Sequence, residues 1–468
     1  MDALSERTCL FPLPSLLPII VLIEGFVSIA VEILTIRQLL PVAGGNVVVT
    51  SLVIGIFLLF LALGYRQGGV LQNNLLKTLR INFMVAAIWL GVGLSYIFVS
   101  TFFTMIQKFF GTHILYPLIA YLLLIIAPLI YLLGQTVPIT MNLVKQNTSP
   151  GRIGGNTLGL STIGSFLGAI FTTLILMYFL GVAWTVCVNS LLLLLLFSLL
   201  SEDIQSFIIR LFFITIVALT IYTLNNSIEN TLFELANNYG NYQILNYKNS
   251  ALEKGEKILS VNNSASSFIN ERNEGFAYIE MIKKIIFKEL QLRNADILVL
   301  GAGGFSLSAE NTYGNRLTYV DIDKQIKAVT IPHFVKQLNG NLAIDDARHY
   351  LHTSKKQYQA IITDVYSNFR TIPFHLLTRE YMTEVKQKLS QNVTAIFNVI
   401  AKSTLADPYS KRIDNTIRTV FQNCTVTPLS YQKEPTNILY VCTNTSNQND
   451  HTIYSDNLNT SPTDYFDW

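Results

Sequence analysis

Long apolar runs fill the first half of the chain, and each is long enough to cross the hydrocarbon core of a membrane. They lie near residues 14–36, 47–65, 81–106, 115–140, 157–180, 183–201 and 205–224. The pattern predicts seven membrane spans over a multi-pass domain of residues 1–225. The first run is longer than a signal peptide and has no cleavage-like site, which favours an anchor over a removable leader.

In the second half of the chain, the apolar residues follow a different pattern. Short apolar runs that end at Gly, Asn or Asp alternate with stretches of helical periodicity, as in a doubly wound α/β sheet. Strands are predicted at 242–247, 257–261, 296–300, 317–320, 342–344, 359–363, 393–397, 425–429 and 438–441. The first two predict a small β-hairpin layer and the last two an antiparallel pair. The predicted fold class is therefore a polytopic helical membrane domain followed by a Rossmann-like, methyltransferase-like domain over residues 226–445. Residues 446–468 are predicted to form a polar, flexible tail.

Charge is unevenly distributed between the two halves. Of 33 Lys and Arg residues, nine lie before residue 226, and of 30 Asp and Glu residues, six do. The net charge of +3 thus belongs to the apolar half. The sequence has no basic patch with interleaved aromatic residues, and nucleic-acid binding is set aside.

The positive-inside rule gives an orientation. With the N-terminus inside, the inner loops hold most of the basic residues, and the outer loops hold only Arg37 and Lys108. An odd number of spans then places the C-terminal domain outside, and one span more or fewer reverses this. The expected location is the cell inner membrane, with membrane lipid as a partner.

The chemistry-bearing residues follow successive strands. Gly301 and Gly303 end the run at 296–300, and Asp321 ends the next strand, twenty residues after Gly301. This is the layout of a nucleotide-binding β-α-β unit, in which glycines admit the ligand and the acid reaches the ribose hydroxyls. Asp346 and Asp364 end two further strands, and strand ends on one edge converge on one crevice. Asp also favours turns and helix N-termini, which accounts for any one of these acids alone.

These residues, in order and spacing, resemble the spermidine synthases, the polyamine aminopropyltransferases, over residues 239–445, and the apolar half is similar to the membrane-fused members of that family. The resemblance rests on Tyr242-Gln243, on 275–282, on the glycine loop, on 320–323, on 346–348 and on Thr363-Asp364.

The resemblance implies roles for individual residues. Gln243 and Asp321 hold the ribose of decarboxylated S-adenosylmethionine, a cosubstrate rather than a permanent cofactor, and Asp346 accepts from the adenine amino group. Asp364 is the base and cation anchor for the attacking amine, and Tyr278 fixes its nitrogen. No metal site is expected. S-adenosylmethionine itself is the other nucleotide considered, and a homodimer is left open.

The sequence departs from the family pattern on the amine side. Gly304 stands where the family has an acid in its glycine loop, and Ser367 stands where it has a second acid after Asp364. Ile279 replaces a histidine. The nucleotide half of the site is therefore better kept than the diamine half, and an amine other than putrescine is the expected acceptor.

Other classes of protein remain as alternatives. Glu24 and Glu32 lie in the first apolar run, where acids are costly and mark transport paths, unless they pair with Arg37. A transporter or sensor whose second domain binds nucleotide or polyamine without catalysis is thus the main rival, and a plain methyltransferase shares the sheet. Gly164 and Gly168 have the spacing of a close helix contact. Cys424 and Cys442 are symmetric about residue 433, in the middle of the terminal hairpin, and are either bridged or two buried thiols.

Overall fold

The computed structural model describes residues 10–111, 113–144, 149–247, 256–335, 337–366, 372–432, 434–443, 453–456, 459 and 461. The chain forms two compact units. One contains the helices up to Leu232, and the other contains the residues from Tyr239 onward.

The first unit is helical. Its helices are α1 Leu13–Ala43, α2 Val47–Val70, α3 Leu75–Gly93, α4 Tyr96–Phe110, α5 Leu115–Leu143, α6 Pro150–Leu180, α7 Val182–Leu199 and α8 Ile204–Leu232. Within the described residues, seven of them, all but α4, are long and apolar enough to cross a membrane. The predicted number of long apolar segments is confirmed.

The predicted span at 81–106 is wrong, because the chain forms two helices there. It leaves the helical conformation at Ser95, which is extended, and the Ser95 hydroxyl accepts a hydrogen bond from the Phe98 amide at 3.3 Å. Such a serine cap starts a new helix by satisfying one of its free amides.

Close backbone approach joins α1 to α6. A Cβ atom at Gly164 would collide with the carbonyl oxygen of Leu22, and one at Gly168 with that of Phe26. The small residues let the two helices touch backbone to backbone, so the packing interpretation is confirmed.

Glu24 lies in the same helix interface and is buried. Its carboxylate accepts hydrogen bonds from Ser28 at 2.8 Å and from Ser161 at 3.3 Å. Glu32, two turns along α1, is half-buried.

A small sheet follows the last long helix in the chain. It contains β1 Leu235–Ala236, β2 Asn241–Tyr247, β3 Glu256–Val261 and β4 Ser264–Ile269 in that order. The predicted hairpin corresponds to β2 and β3. The strand β4 was not predicted, because its serine-rich sequence has the composition of a loop.

A larger, seven-stranded sheet follows. Its strands are β5 Asp296–Leu300, β6 Arg316–Asp321, β7 Asn341–Ile344, β8 Tyr358–Thr363, β9 Leu389–Ala401, β10 Asn423–Pro428 and β11 Thr436–Thr443. The order across the sheet is β10-β11-β9-β8-β5-β6-β7, with β9 to β7 parallel and the last hairpin antiparallel. Successive strands run outward from β5 on one side and then on the other, so the chain reverses direction across the sheet at β5 and β8.

Alternate residues of β5 face opposite layers. Leu298 and Leu300 join one hydrophobic cluster, whereas Ile297 and Val299 join another, and all four are buried. A strand buried on both faces reads as a continuous apolar run, as this one does. The covering helices are α9 Ala277–Lys283, which continues as a π-helical segment over Lys284–Glu289, then α10 Ile326–Phe334, α11 Ala347–Thr353, α12 Arg379–Gln387 and α13 Pro408–Val420. The doubly wound fold is confirmed.

The terminal hairpin has the predicted register. Cys424 lies opposite Cys442, their Cα atoms are 4.0 Å apart, and their sulfurs form a disulfide. Of the two alternatives, the bridged one is therefore observed.

The segment predicted as a flexible tail is packed where the structure describes it. Tyr454 is fully buried, its amide donates to Thr416 and its carbonyl accepts from the Arg379 amide. Burial of this aromatic side chain holds residues 453–456 against α12 and α13, which corrects the prediction there; most of the other residues of 446–468 lie outside the described residues.

Candidate active site

The carboxyl ends of β5, β6 and β8 meet at the point where the chain reverses direction across the sheet. Gly301 follows β5, Asp321 ends β6, and Asp364 follows β8. In open α/β sheets the ligand crevice lies at this edge. The structure thus brings the predicted glycine loop and two of the three predicted acids to one place.

The glycine loop depends on backbone conformations that suit glycine. Gly301 has φ +91° and Gly303 φ +48°. A Cβ atom at Gly301 would collide with the carbonyl oxygen of Asp364. Gly301 is therefore needed both for the turn and for the close approach of the β5 and β8 ends.

Asp321 ties this loop to β6. One carboxylate oxygen accepts from the Ala302 amide at 3.0 Å, and the other accepts from the Asp323 amide at 2.9 Å. Burial raises the pKa of Asp321, and the two backbone hydrogen bonds oppose that shift. Each oxygen keeps a further lone pair, so the carboxylate can still accept from two hydroxyls.

Asp346 caps helix α11. Its Oδ1 accepts from the amides of Arg348 and His349 at 2.9 and 3.0 Å, and its Oδ2 lies 3.3 Å from His375 Nε2. Burial alone would raise the pKa of Asp346, but the two amides and His375 together hold it below its usual value. Asp346 is therefore a helix cap whose Oδ2 points toward His375, and its place beside the adenine stays a prediction.

Asp364 is held by two side chains. Tyr278 Oη donates to Oδ2 at 3.0 Å, and Asn398 Nδ2 donates to Oδ1 at 2.8 Å. Burial raises the pKa of Asp364, and these two hydrogen bonds counteract part of the rise. A carboxylate with a raised pKa and a fixed orientation is suited to accept a proton from an attacking nucleophile.

The hydrogen-bond chain continues beyond Asp364. Asn437 Nδ2 donates to Asn398 Oδ1 at 2.9 Å, and Tyr366 Oη donates to the Asn398 carbonyl at 3.1 Å. Asn398 was not among the predicted site residues. Asn398 is the polar residue in the otherwise apolar run Ala395–Ala401, and it directly follows Phe397, which pairs with Thr363. A single amide side chain within a buried strand was the sequence feature that could have identified it.

The space beside Gly304, where the resemblance would place an acidic side chain, is occupied by neighbouring residues. Gly304 donates its amide to Ser267 Oγ at 2.7 Å. A Cβ atom at Gly304 would lie 2.8 Å from Ser267 Cβ and 3.1 Å from Phe334 Cδ1. Strand β4 and helix α10 thus leave no room there for an aspartate. Ser367, the other departure, lies outside the described residues.

Gln243 lies on the smaller sheet. It is half-buried in the middle of β2, opposite Ser260. Its place beside the nucleotide stays a prediction.

This region of the chain is similar to known proteins. Residues 275–454 match the spermine/spermidine synthase domain family. A polyamine aminopropyltransferase of Vibrio vulnificus is 31% identical over 155 residues, which cover 31% of this chain and 49% of that protein. A probable polyamine aminopropyl transferase of Bifidobacterium longum is 27% identical over 131 residues, covering 28% of this chain and 29% of that protein. The chain thus spans about half or less of the length of these curated relatives.

Among solved structures, a probable spermidine synthase from Corynebacterium glutamicum superposes with a TM-score of 0.38 at 18% identity, covering 45% of this chain and 78% of that one. The matched residues include Tyr278, the glycine loop, Asp321, Asp346 and Asp364, and Gln243 lies before them. Residues 275–454 therefore match a spermine/spermidine synthase domain, and over part of its length the chain is similar to polyamine aminopropyltransferases.

Proposed function

We propose that the chain is a multi-pass inner-membrane protein whose second unit binds decarboxylated S-adenosylmethionine, or a related nucleoside, and transfers its aminopropyl group to an amine. The observation that carries the proposal is the Asp364 carboxylate, oriented by Tyr278 and Asn398 beside the glycine loop. Seven long apolar helices support the membrane location.

The nucleotide is assigned to the carboxyl edge of β5 and β6. Gly301 and Gly303 let the backbone approach it, Asp321 and Gln243 accept from the ribose hydroxyls, and Asp346 accepts from the adenine amino group. In this assignment each carboxylate uses a lone pair that its backbone hydrogen bonds leave over.

The reaction is a displacement at carbon. The neutral nitrogen of the acceptor attacks the aminopropyl methylene beside the sulfonium, a C–N bond forms, and the C–S bond breaks with its electron pair passing to sulfur. The nitrogen loses a proton to Asp364, and the products are the N-aminopropyl amine and the thioether nucleoside. Tyr278 holds the carboxylate toward the nitrogen, so that Asp364 can take the proton that the nitrogen must lose once the C–N bond has formed.

The acceptor is an amine that needs few anionic partners. With Gly304 closed off by Ser267, the acid that the family places in the loop has no counterpart at that position. A dicationic acceptor could still bind Asp364 with one charge. Its second charge would have no carboxylate at position 304, so part of the electrostatic binding energy would be lost. Monoamines and amines with one charged end fit this site better than putrescine.

The test is turnover by the purified full-length protein. It is incubated with decarboxylated S-adenosylmethionine and a panel of mono-, di- and triamines, and thioether nucleoside and N-aminopropyl products are followed by mass spectrometry. Asp364→Asn removes the proton acceptor and should abolish product. Asp414→Asn, which changes a carboxylate that binds Arg418 on α13, is the matched control and should keep full activity. Undiminished turnover by Asp364→Asn contradicts the proposal.

A sensor that binds without catalysis is the second candidate, and the Cys424–Cys442 disulfide favours it. Disulfides persist in oxidising compartments, whereas S-adenosyl nucleotides are made in the cytoplasm. Such a sensor binds a nucleotide or a polyamine, and an outside location favours the polyamine. Calorimetric binding of either ligand without product from any amine would establish this candidate over the enzyme.

A further inference from the structure

His375 lies beside the carboxylate to which the adenine is assigned. It belongs to a short 3₁₀ turn, Phe374–Leu376, in which Leu376 is buried in the hydrophobic core and anchors the turn. The His375 imidazole stays nearer the surface, and its Nε2 lies 3.3 Å from Asp346 Oδ2. Both of these side chains are 37% exposed, so a ligand can reach the pair.

Hydrogen bonds already use most of the acceptor capacity of Asp346. Oδ1 accepts from the amides of Arg348 and His349, which accounts for both of its lone pairs. Although burial opposes it, the two amides and His375 hold the pKa of Asp346 below its usual value, so the group is an ionised carboxylate at neutral pH. An ionised carboxylate can only accept, so His375 Nε2 carries the proton and donates to Oδ2. One lone pair of Oδ2 is left for a ligand.

Arg348 fixes the backbone of the turn that carries His375. Its guanidinium donates to the His375 carbonyl at 3.2 Å, to Glu384 at 2.9 Å and to Asp456 at 2.7 Å. Each of the two carboxylates is bound through two guanidinium nitrogens, a geometry that fixes orientation as well as charge. The turn is therefore tied to helix α12 through Glu384 and to residues near the end of the chain through Asp456.

The residues near the end of the chain hold the turn at a second point. Asn459 Nδ2 donates to the Phe374 carbonyl at 2.7 Å. Tyr454, in the same part of the chain, is fully buried. Burial of Tyr454 thus holds in place the residues Asp456 and Asn459, and these two residues in turn hold the backbone on either side of the His375 imidazole.

A carboxylate oxygen with one lone pair left is suited to accept from an exocyclic amino group. Adenine presents such a group, whereas hypoxanthine presents a carbonyl oxygen at the same position of the ring, and two acceptors cannot form a hydrogen bond. The bond from His375 takes one lone pair of Oδ2 and so determines the direction in which the other one points.

We propose that His375 and Arg348 are positioning residues that orient the Asp346 carboxylate for recognition of the 6-amino group of adenine, and that Asp456 supports them from near the end of the chain. This inference rests on the proposed function, because it deepens the assignment of adenine to Asp346. Both residues act through Asp346 and not on the reacting carbon, so they set nucleoside affinity and base preference.

The experiment measures base preference by isothermal titration calorimetry of the full-length protein in detergent. The probes are 5′-methylthioadenosine, the thioether nucleoside of the proposed reaction, and 5′-methylthioinosine, which has a carbonyl in place of the 6-amino group. The wild type should bind the adenine nucleoside at least about tenfold more tightly, as expected when a hydrogen bond to a carboxylate is replaced by a contact between two acceptors.

Variants assign the preference to these residues. His375→Ala should lower it at least about threefold, because the carboxylate loses the donor that orients it. Arg348→Lys keeps the charge but cannot bind two carboxylates and a carbonyl at once, and it should lower the preference in the same way. The matched controls are His349→Ala, whose imidazole contacts Asp345, and Arg418→Lys on α13, and both should keep the wild-type preference.

The kinetics separate positioning from a general loss of structure. His375→Ala should raise KM for decarboxylated S-adenosylmethionine and leave kcat near the wild-type value, because the hydrogen bonds of Asp364 are unchanged, whereas a damaged fold would lower kcat as well. Should Arg348→Lys fail to fold, Asp456→Asn weakens one of the two carboxylate contacts of the guanidinium, and a smaller loss of base preference is expected.

Failure of this inference and failure of the proposed function give different results. If the wild type prefers the adenine nucleoside and both His375→Ala and Arg348→Lys keep that preference, this inference is overturned and the nucleotide site stands. If the wild type binds neither nucleoside, or binds both equally, the assignment of adenine to Asp346 is wrong and the inference falls with it. Asp364→Asn should keep the preference, so the measurement does not depend on turnover.

Discussion

At Asp364, burial and hydrogen bonding act in opposite directions on the same carboxylate. Burial disfavours its charge, whereas Asn398 and Tyr278 favour it, and the net result is a raised pKa. Because the pKa is raised on folding, the carboxylate costs stability as the pH rises from its unfolded pKa to its folded one. This cost is present at neutral pH, which lies well above the unfolded pKa.

Asp364→Asn should therefore raise Tm at pH 7 while it abolishes transfer. An amide of the same shape carries no charge to desolvate, still accepts from Asn398, and can donate to Tyr278. The gain should vanish below about pH 4, where wild-type Asp364 is itself protonated. Thermal denaturation of both proteins from pH 4 to pH 8 measures this. A lower Tm for Asp364→Asn than for the wild type at pH 7 would contradict this balance of burial and hydrogen bonding.

Asn398→Leu should move the acidic limb of the pH–rate profile to higher pH. The substitution removes the larger of the two hydrogen bonds that lower the pKa of Asp364, so the pKa rises further and more protein is protonated at a given pH. Asn437→Ala is the graded control, since it breaks only the outer link of the chain and should give a smaller shift in the same direction. Equal profiles for all three proteins would show that Asn398 does not act on Asp364.

At the scale of elements, the glycine loop and β4 are fitted to each other. Ser267 on β4 accepts from the Gly304 amide and occupies the space that a larger residue at 304 needs. Restoring the family's acid at this position is therefore a packing problem before it is an electrostatic one.

Gly304→Asp should destabilise the second unit by about 2 kcal/mol, a typical cost of overpacking, instead of improving use of diamines. Combining it with Ser267→Gly removes the nearest obstructing atom and should recover part of the loss. Chemical denaturation of the single and double variants measures both effects. Enhanced putrescine turnover by the single variant at unchanged stability would show that the loop adapts.

The disulfide joins β10 to β11 at the edge of the sheet. It closes a chain segment with a sequence separation of 18, for which loop-closure entropy gives about 3 kcal/mol. Cys424→Ser with Cys442→Ser should lower stability by about that amount, and dithiothreitol should do the same to the wild type. Cys187→Ser, which removes a free thiol, is the control and should leave the response to dithiothreitol intact.

The sequence predicts a strand or helix when that element has its own pattern of apolar residues, and fails when tertiary contacts define it. The strands β5, β6 and β8 are buried on both faces, so they appear as apolar runs that end at glycine or aspartate. The strand β4 contains serines that bind a loop distant in sequence, and its pairing is set by that tertiary contact. The division of 81–106 into α3 and α4 depends on one serine cap within an apolar stretch, where hydropathy alone gives no signal.

The same limit holds for the site. Gly301 and Asp321 were predictable because spacing between consecutive strands fixes them. Asn398 and Asn437 belong to strands that reach Asp364 only through the sheet order, which the sequence does not reveal.

At the scale of the whole molecule, three observations bear on which side of the membrane the second unit occupies under the proposed membrane location. If the seven long apolar helices span a membrane as proposed, the basic residues of the connecting loops favour an inside N-terminus, and residue 240 then lies outside. The Cys424–Cys442 disulfide agrees with an oxidising compartment. The short helix α4 does not alter the count unless it crosses the membrane.

Reporter fusions after Gly240 and after Thr443 should therefore be active with alkaline phosphatase, which works only outside, and dark with green fluorescent protein fused at the same sites. Both fusion points lie beyond the end of α8 at Leu232, so each fusion protein keeps the last long helix. With an outside domain, the nucleotide has to be supplied in that compartment, and the binding-only candidate gains over the enzyme. The opposite pattern would place the domain where S-adenosyl nucleotides are made, make α4 or another segment an eighth span, and leave Cys424 and Cys442 as thiols in the cell.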